Sequence, residues 1–163
     1  MQFDEFAGEH LPGLVRFAAV LTGDRDRAQD FVQDALVKAH GRWARVSSAE
    51  RPDLYLRRMV VNGYLTWRGR WYQRSVSTVD DVGELPGVAD PAERIADGAE
   101  LAALLATLPR SQQVAIVLRF YEDRDDHEIA EVLGCAVATV RSHVSRGLNA
   151  LRVRVHEQEA GTR

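Results

Sequence analysis

The sequence predicts an all-α protein of two small helical domains joined by a flexible acidic linker, the C-terminal domain carrying a helix-turn-helix. Three observations predict it. Apolar residues recur at helical spacing through most of the chain, with no segment that needs a strand. A stretch rich in Ser, Thr, Gly, Pro and acid interrupts them between residues 73 and 99. Finally, Ala130, Gly134 and Val140 fall where two crossing helices must touch closely, turn without a Cβ penalty and bury an apolar side chain. The expected division is 1–72, a linker over 73–99, 100–156, and a frayed tail over 157–163.

In the N-terminal domain, Phe6 starts a helical pattern that resumes as Leu14, Phe17, Ala18 and Leu21 after an expected break at Pro12. Thr22-Gly23-Asp24 ends that helix and caps the next, with Asp24 as N-cap. The second helix turns Ala28, Phe31, Val32, Ala35, Leu36 and Ala39 inward and closes on Trp43. A loop is expected from Val46 to Asp53, containing Ser47, Ser48 and Pro52. The third helix, from Tyr55, divides into an apolar side (Leu56, Met59, Val60, Gly63, Tyr64, Trp67, Trp71) and a polar one (Arg57, Arg58, Asn62, Arg68). Gly63 in its middle costs about 1 kcal/mol relative to alanine, which implies a close helix crossing there. Trp67 and Trp71 lie on the apolar side and are expected in the core.

Helical periodicity returns at Leu101, Leu104 and Leu105, breaks at Leu108-Pro109, and continues through Val114, Val117, Leu118 and Tyr121. Asp125 with Glu128 has the spacing of a capping box, so the first helix of the motif begins near Asp126. The second helix lacks a capping hydroxyl beside Val137, forgoing about 1 kcal/mol. Its apolar side is Val137, Val140, Val144, Leu148, Leu151 and Val155; Thr139, Ser142, His143, Arg146 and Asn149 lie opposite, with Arg141, Ser145 and Arg152 on the flank. From Ala136 to His156 it carries four arginines and no carboxylate. Solvated faces usually mix signs, so this one is expected to enter a major groove, arginine forks on guanine edges and hydroxyls on phosphate.

Composition narrows the function classes. The chain of 163 residues is 45% hydrophobic, enough for one or two small cores, and the composition break favours two. No apolar run is long enough for a membrane span and the N-terminus lacks signal-peptide character, so a cytoplasmic protein is expected. Net charge is −3, but the charges are segregated: Leu54 to Arg74 holds five arginines and no acid, whereas Asp80 to Glu100 holds seven acids against Arg94. Cys135, the single cysteine, reads as a small buried apolar residue. There is no P-loop, Gly-rich dinucleotide fingerprint or HExxH, and the five histidines are scattered, so no enzyme, metal or cofactor is expected.

Three blocks in order, DFVQDAL (Asp30 to Leu36), YLRRMVVN (Tyr55 to Asn62) and ATVRSHVSRGL (Ala138 to Leu148), give the chain its resemblance to the extracytoplasmic-function sigma factors of bacterial RNA polymerase, the small two-domain kind. The resemblance implies that Asp30, Gln33 and Asp34 grip the clamp helices of the polymerase β′ subunit, with the β flap a further element of the polymerase partner. It implies that Arg57, Arg58, Asn62 and Arg68 meet the −10 element as it melts, with Ser47 and Ser48 in the loop that pockets an extruded base. Thr139, Arg141, Ser142, Ser145 and Arg146 would read the −35 element. Promoter DNA, core polymerase and an anti-sigma factor are the implied partners, without membrane insertion. Ala136, Ala138, Arg124 and Thr66 depart from the family pattern; an apolar residue is usual at Arg124. The linker's acidity fits either a nucleic-acid mimic in a basic channel or a tether kept extended. The competing reading is a free-standing helix-turn-helix regulator whose N-terminal domain dimerises or senses a ligand.

Overall fold

A computed structural model describes the backbone of residues 1–77 and 96–161, with side chains for 1–68 and 100–161. The helices are α1 (Phe3–Thr22), α2 (Arg25–Gly41), α3 (Trp43–Ser47), α4 (Pro52–Ser77), α5 (Ala96–Ala106), α6 (Arg110–Ile116), a π-helical turn (Val117–Tyr121), α7 (Asp126–Leu133) and α8 (Val137–Gly161). Among the described residues the expectation of an all-α fold holds.

Helix α1 runs straight through Pro12, against the expected break. An interior proline costs about 3 kcal/mol. Phe6 on one side of it and Leu14 and Phe17 on the other are buried in the same core, each contributing about 1.5 to 3 kcal/mol, so continuity wins. The helix ends where expected. Gly23 takes a left-handed φ of 68°, and Asp24 Oδ1 accepts from the amides of Asp26 and Arg27 to start α2. Ala28, Val32, Ala35 and Ala39 line the buried face of α2, small residues that let it lie close on α1 and α4.

The expected loop from Val46 to Asp53 is shorter than its text. Val46 and Ser47 belong to α3, and Pro52 opens α4 at the first helical position, where its missing N–H costs nothing. Gly63 does not enforce a tight crossing: a Cβ there would stand 3.5 Å from Phe31 Cδ1, ordinary contact. The demanding glycine is Gly147, where a Cβ would come within 2.4 Å of Ile116 Cδ1. Trp67 is half-buried against Phe31, with the Arg27 guanidinium 4.8 Å above its ring.

The two halves do not stand apart. One contiguous cluster of buried side chains includes Phe17, Val32, Leu56 and Val60 together with Leu105, Leu118, Ile129 and Val140, and α4 packs on α7 while α1 packs on α5. The helices also extend into the stretch read as linker, α4 through Ser77 and α5 from Ala96. Most of that acidic stretch, and the side chain of Trp71, lie outside the described residues. Tyr121, expected inside, is 50% exposed. The reason is the π-helical turn, closed by Glu122 N–H to Val117 O: one extra residue rotates the last side chains outward. Helix α8 continues to Gly161 instead of fraying at residue 157, and because it outruns the core, Val155 is 39% exposed.

Candidate nucleic-acid interface

The helix-turn-helix is built from local bonds upward. Asp125 Oδ1 accepts from the Glu128 amide at 2.9 Å and Glu128 Oε1 accepts from the Asp125 amide at 3.2 Å, completing the capping box. Helix α7 ends at Gly134, φ 68°, whose N–H donates to Ala130 O. Val140 and Val144 are buried, and Gly147 brings α8 down onto α6. That seating leaves Thr139, Arg141, Ser142, Ser145 and Arg146 exposed together. Arg141 Nε donates to Asp126 Oδ2 at 3.0 Å, and Arg119 pairs with the same carboxylate. Arg146 makes no ion pair among the described residues, so its guanidinium is available to a partner. Cys135 in the turn is partly buried, and burial pushes its thiol pKa up.

The α4 residues are placed differently. Asn62 and Arg58 are exposed, but the Arg58 guanidinium lies over the motif's turn, 3.1 Å from where a Cβ on Gly134 would be. Arg57 is only 6% exposed and pairs through Nη2 with Glu122 Oε2 at 3.1 Å. Arg68 donates to Gln113 Oε1, to Tyr64 Oη and to Ala106 O. Of the expected open basic face, Arg57 and Arg68 are therefore turned against the C-terminal half, while Arg58 and Asn62 stay exposed. Ser47 and Ser48 are exposed and donate back to Ala44 O and Arg45 O, as residues ending a short helix do.

Two polar nodes join the halves. At the first, Gln113, 1% exposed, accepts from Tyr64 and Arg68 and donates Nε2 to Leu21 O at 2.9 Å, so its amide is well satisfied. Burial raises the Tyr64 pKa, partly offset by Arg68. The second node gathers Arg51, Asp53, Arg57, Glu122, Arg124 and Glu128. Burial would raise the Asp53 pKa, but hydrogen bonding and charge from Arg51, with Arg124 nearby, hold it below the usual carboxylate range. For Glu128, burial is likewise outweighed, by the Asp125 amide and by Arg124.

On α2, Asp30, Gln33 and Asp34 are all exposed on one face. Arg27, which could have neutralised them, is turned toward Asp24 and Trp67. Val37, 66% exposed, continues that face one turn on. Sequence reasoning passed over it, although an apolar residue at i+3 from an acidic patch is the available signal. Glu122 and Gln113 carried no local signal, since their roles depend on partners more than forty residues away.

Residues 6–73 match the model of sigma-70 region 2, and residues 98–151 match that of sigma-70 region 4. The chain is 33% identical to the RNA polymerase sigma-E factor of Streptomyces avermitilis, covering all of this chain and 90% of that one. It is 30% identical to the ECF RNA polymerase sigma factor SigL of Mycobacterium tuberculosis, over 91% of this chain and 86% of that one. Among solved structures, the sigma factor RpoE of Bartonella quintana, in complex with the anti-sigma factor NepR, superposes with a TM-score of 0.70 at 28% identity, over 94% of this chain and 96% of that one. These matches run through both halves of the chain and favour a polymerase-associated factor over a free-standing regulator. The protein belongs to the sigma-70 family, as an extracytoplasmic-function RNA polymerase sigma factor.

Proposed function

We propose that residues 1–72 dock on core polymerase and hold the −10 element, and that residues 100–156 read the −35 element, the stretch between them serving as connector. Docking uses Asp30, Gln33 and Asp34 against the β′ clamp helices: two carboxylates and an amide at i, i+3 and i+4 form one patch suited to arginines of a partner helix. Arg57, Arg58, Asn62 and Arg68, with Ser47 and Ser48, take the −10 strand, arginines on phosphate and polar groups on unstacked bases. Thr139, Arg141, Ser142, Ser145 and Arg146 enter the major groove at −35, and the polymerase contacts include its β flap. The factor supplies recognition and no catalytic group, and acts in the cytoplasm. No helix among the described residues is long and apolar enough to cross a membrane. An anti-sigma partner is proposed by similarity to the Bartonella quintana protein, which is bound to one.

The observation that carries this reading is the α8 face, exposed, arginine-bearing and without a carboxylate in its first turn. Reconstituted transcription with core polymerase tests it. Alanine at Asp30, Gln33 and Asp34 together should abolish promoter-dependent transcription and co-purification with core enzyme. A stable promoter complex formed by the factor alone, or full activity of the triple variant, would overturn the docking assignment.

A further inference from the structure

Three elements converge on one carboxylate beside the exposed arginines of α8. Asp126, the first residue of α7, turns Oδ1 toward the guanidinium of Arg119 on the π-helical turn and accepts through Oδ2 from Arg141 Nε at 3.0 Å. Helix α8 has no acid of its own before Glu157, so this carboxylate reaches its open face from a neighbouring helix. The Arg141 side chain is 68% exposed even so. A pair that open to solvent adds little to stability, which leaves orientation as its effect. Arg146, further along the same face, has no such partner among the described residues.

A guanidinium is planar, with its N–H donors in a rigid fork. Engaged at Nε, Arg141 is fixed along one edge and keeps both terminal nitrogens for a partner. Those two nitrogens are the fork that matches O6 and N7 of guanine. A lone carboxylate beside DNA would repel phosphate, but here two guanidiniums flank it, and the trio of Arg119, Asp126 and Arg141 is left with one net positive charge. Arg141 is thereby held without its charge being cancelled. We infer that Asp126 is a positioning residue that orients Arg141 to read one guanine of the −35 element, and that Arg119 supplies the charge that makes an acid tolerable there. This role rests on the assignment of −35 reading to the exposed face of α8. Holding a long side chain ready in its bound rotamer removes an ordering cost equivalent to roughly twofold to tenfold in affinity, and does so only for the base that the fork fits.

Holoenzyme reconstituted from core polymerase and the full-length factor tests it, by selection of promoters from a pool randomised across the −35 element. Base preference and affinity are compared for wild type, Asp126→Ala, Arg141→Ala, Asp126→Ala/Arg141→Ala and Arg146→Ala. The wild type should select guanine at one position that Arg141→Ala no longer distinguishes. Asp126→Ala should weaken that same preference about fivefold and leave the position affected by Arg146→Ala unchanged. It should also bind unselected sequence at least as tightly as wild type, because an acid beside phosphate is gone. In the double variant the aspartate substitution should add nothing to the loss caused by Arg141→Ala. A merely structural role would weaken binding uniformly at every position, and that result overturns the inference. So does an Asp126→Ala protein whose preference at that position is unchanged, or sharper because the pair had withheld Arg141 from DNA. Thermal melting of Asp126→Ala should match wild type, and a fall of more than about 5 °C would make Asp126 a folding residue and overturn its positioning role. If Arg141→Ala loses no preference at all, the inference falls through its premise about this arginine, whereas the other adverse outcomes leave that premise standing.

Discussion

The guanidinium of Arg57 and the carboxylate of Glu122 face each other across the two halves at 3.1 Å, their side chains 8% and 11% exposed. Removing one partner of a buried pair leaves an uncompensated charge, which costs about 3 to 5 kcal/mol. Glu122→Ala should therefore lower stability to urea by an amount of that order, up to the free energy of closure itself. Replacing both, as Arg57→Met/Glu122→Leu, should recover most of the loss, because desolvation of both ions disappears with them. Equal loss in the single and double variants would show the pair to be incidental.

Gly147 and Gly63 should respond oppositely to alanine. At Gly147 the new methyl would meet Ile116 Cδ1 at 2.4 Å, an overpacking that costs about 1 to 3 kcal/mol. At Gly63 the nearest atom is Phe31 Cδ1 at 3.5 Å, so the gain in helix propensity, about 1 kcal/mol, should appear as added stability. Thermal melts of the two variants check this. Ile116→Val removes the offending methyl and should restore much of the Gly147→Ala loss.

The carboxylates of Asp53 and Glu128 contribute a defined acid dependence. Both titrate below the ordinary range in the closed structure, so their contribution is complete above the unperturbed pKa of about 4 and is lost as the pH falls through the depressed values. Arg51, Arg57, Arg124 and Glu122 face them in the same cluster. Asp53→Asn/Glu128→Gln should be less stable than wild type at neutral pH and converge on it in acid. Urea midpoints measured from pH 7 down to about 3 read the convergence.

Arg146→Ala should cost about 1 to 3 kcal/mol of discrimination at one −35 base pair and relax specificity there. Promoter variants with each −35 position changed in turn, assayed with holoenzyme, check it. A uniform loss across all positions would make Arg146 a phosphate contact instead.

What could be read from the sequence was local in its physics. The cap at Asp24, the capping box of Asp125 and Glu128, and the turn at Gly134 each depend on residues within one helical turn, and each is in the structure as read. Pro12 misled because propensity is overridden by burial on both sides of it. The π-helical turn at Val117–Tyr121 has no distinctive spacing, and its effect on Tyr121 emerges only from the backbone bond that closes it. Arg57 and Arg68 sit on the polar side of α4 as a helical wheel requires. Whether that side meets solvent, DNA or the protein's own carboxylates is a long-range question that no wheel answers.

Ile116 and Gln113 lie one turn apart on α6, the first wedged against Gly147 and the second threaded into Tyr64, Arg68 and Leu21. The seating of α8 at Gly147 and the bonds that hold the other half at Gln113 therefore rest on the same seven-residue helix.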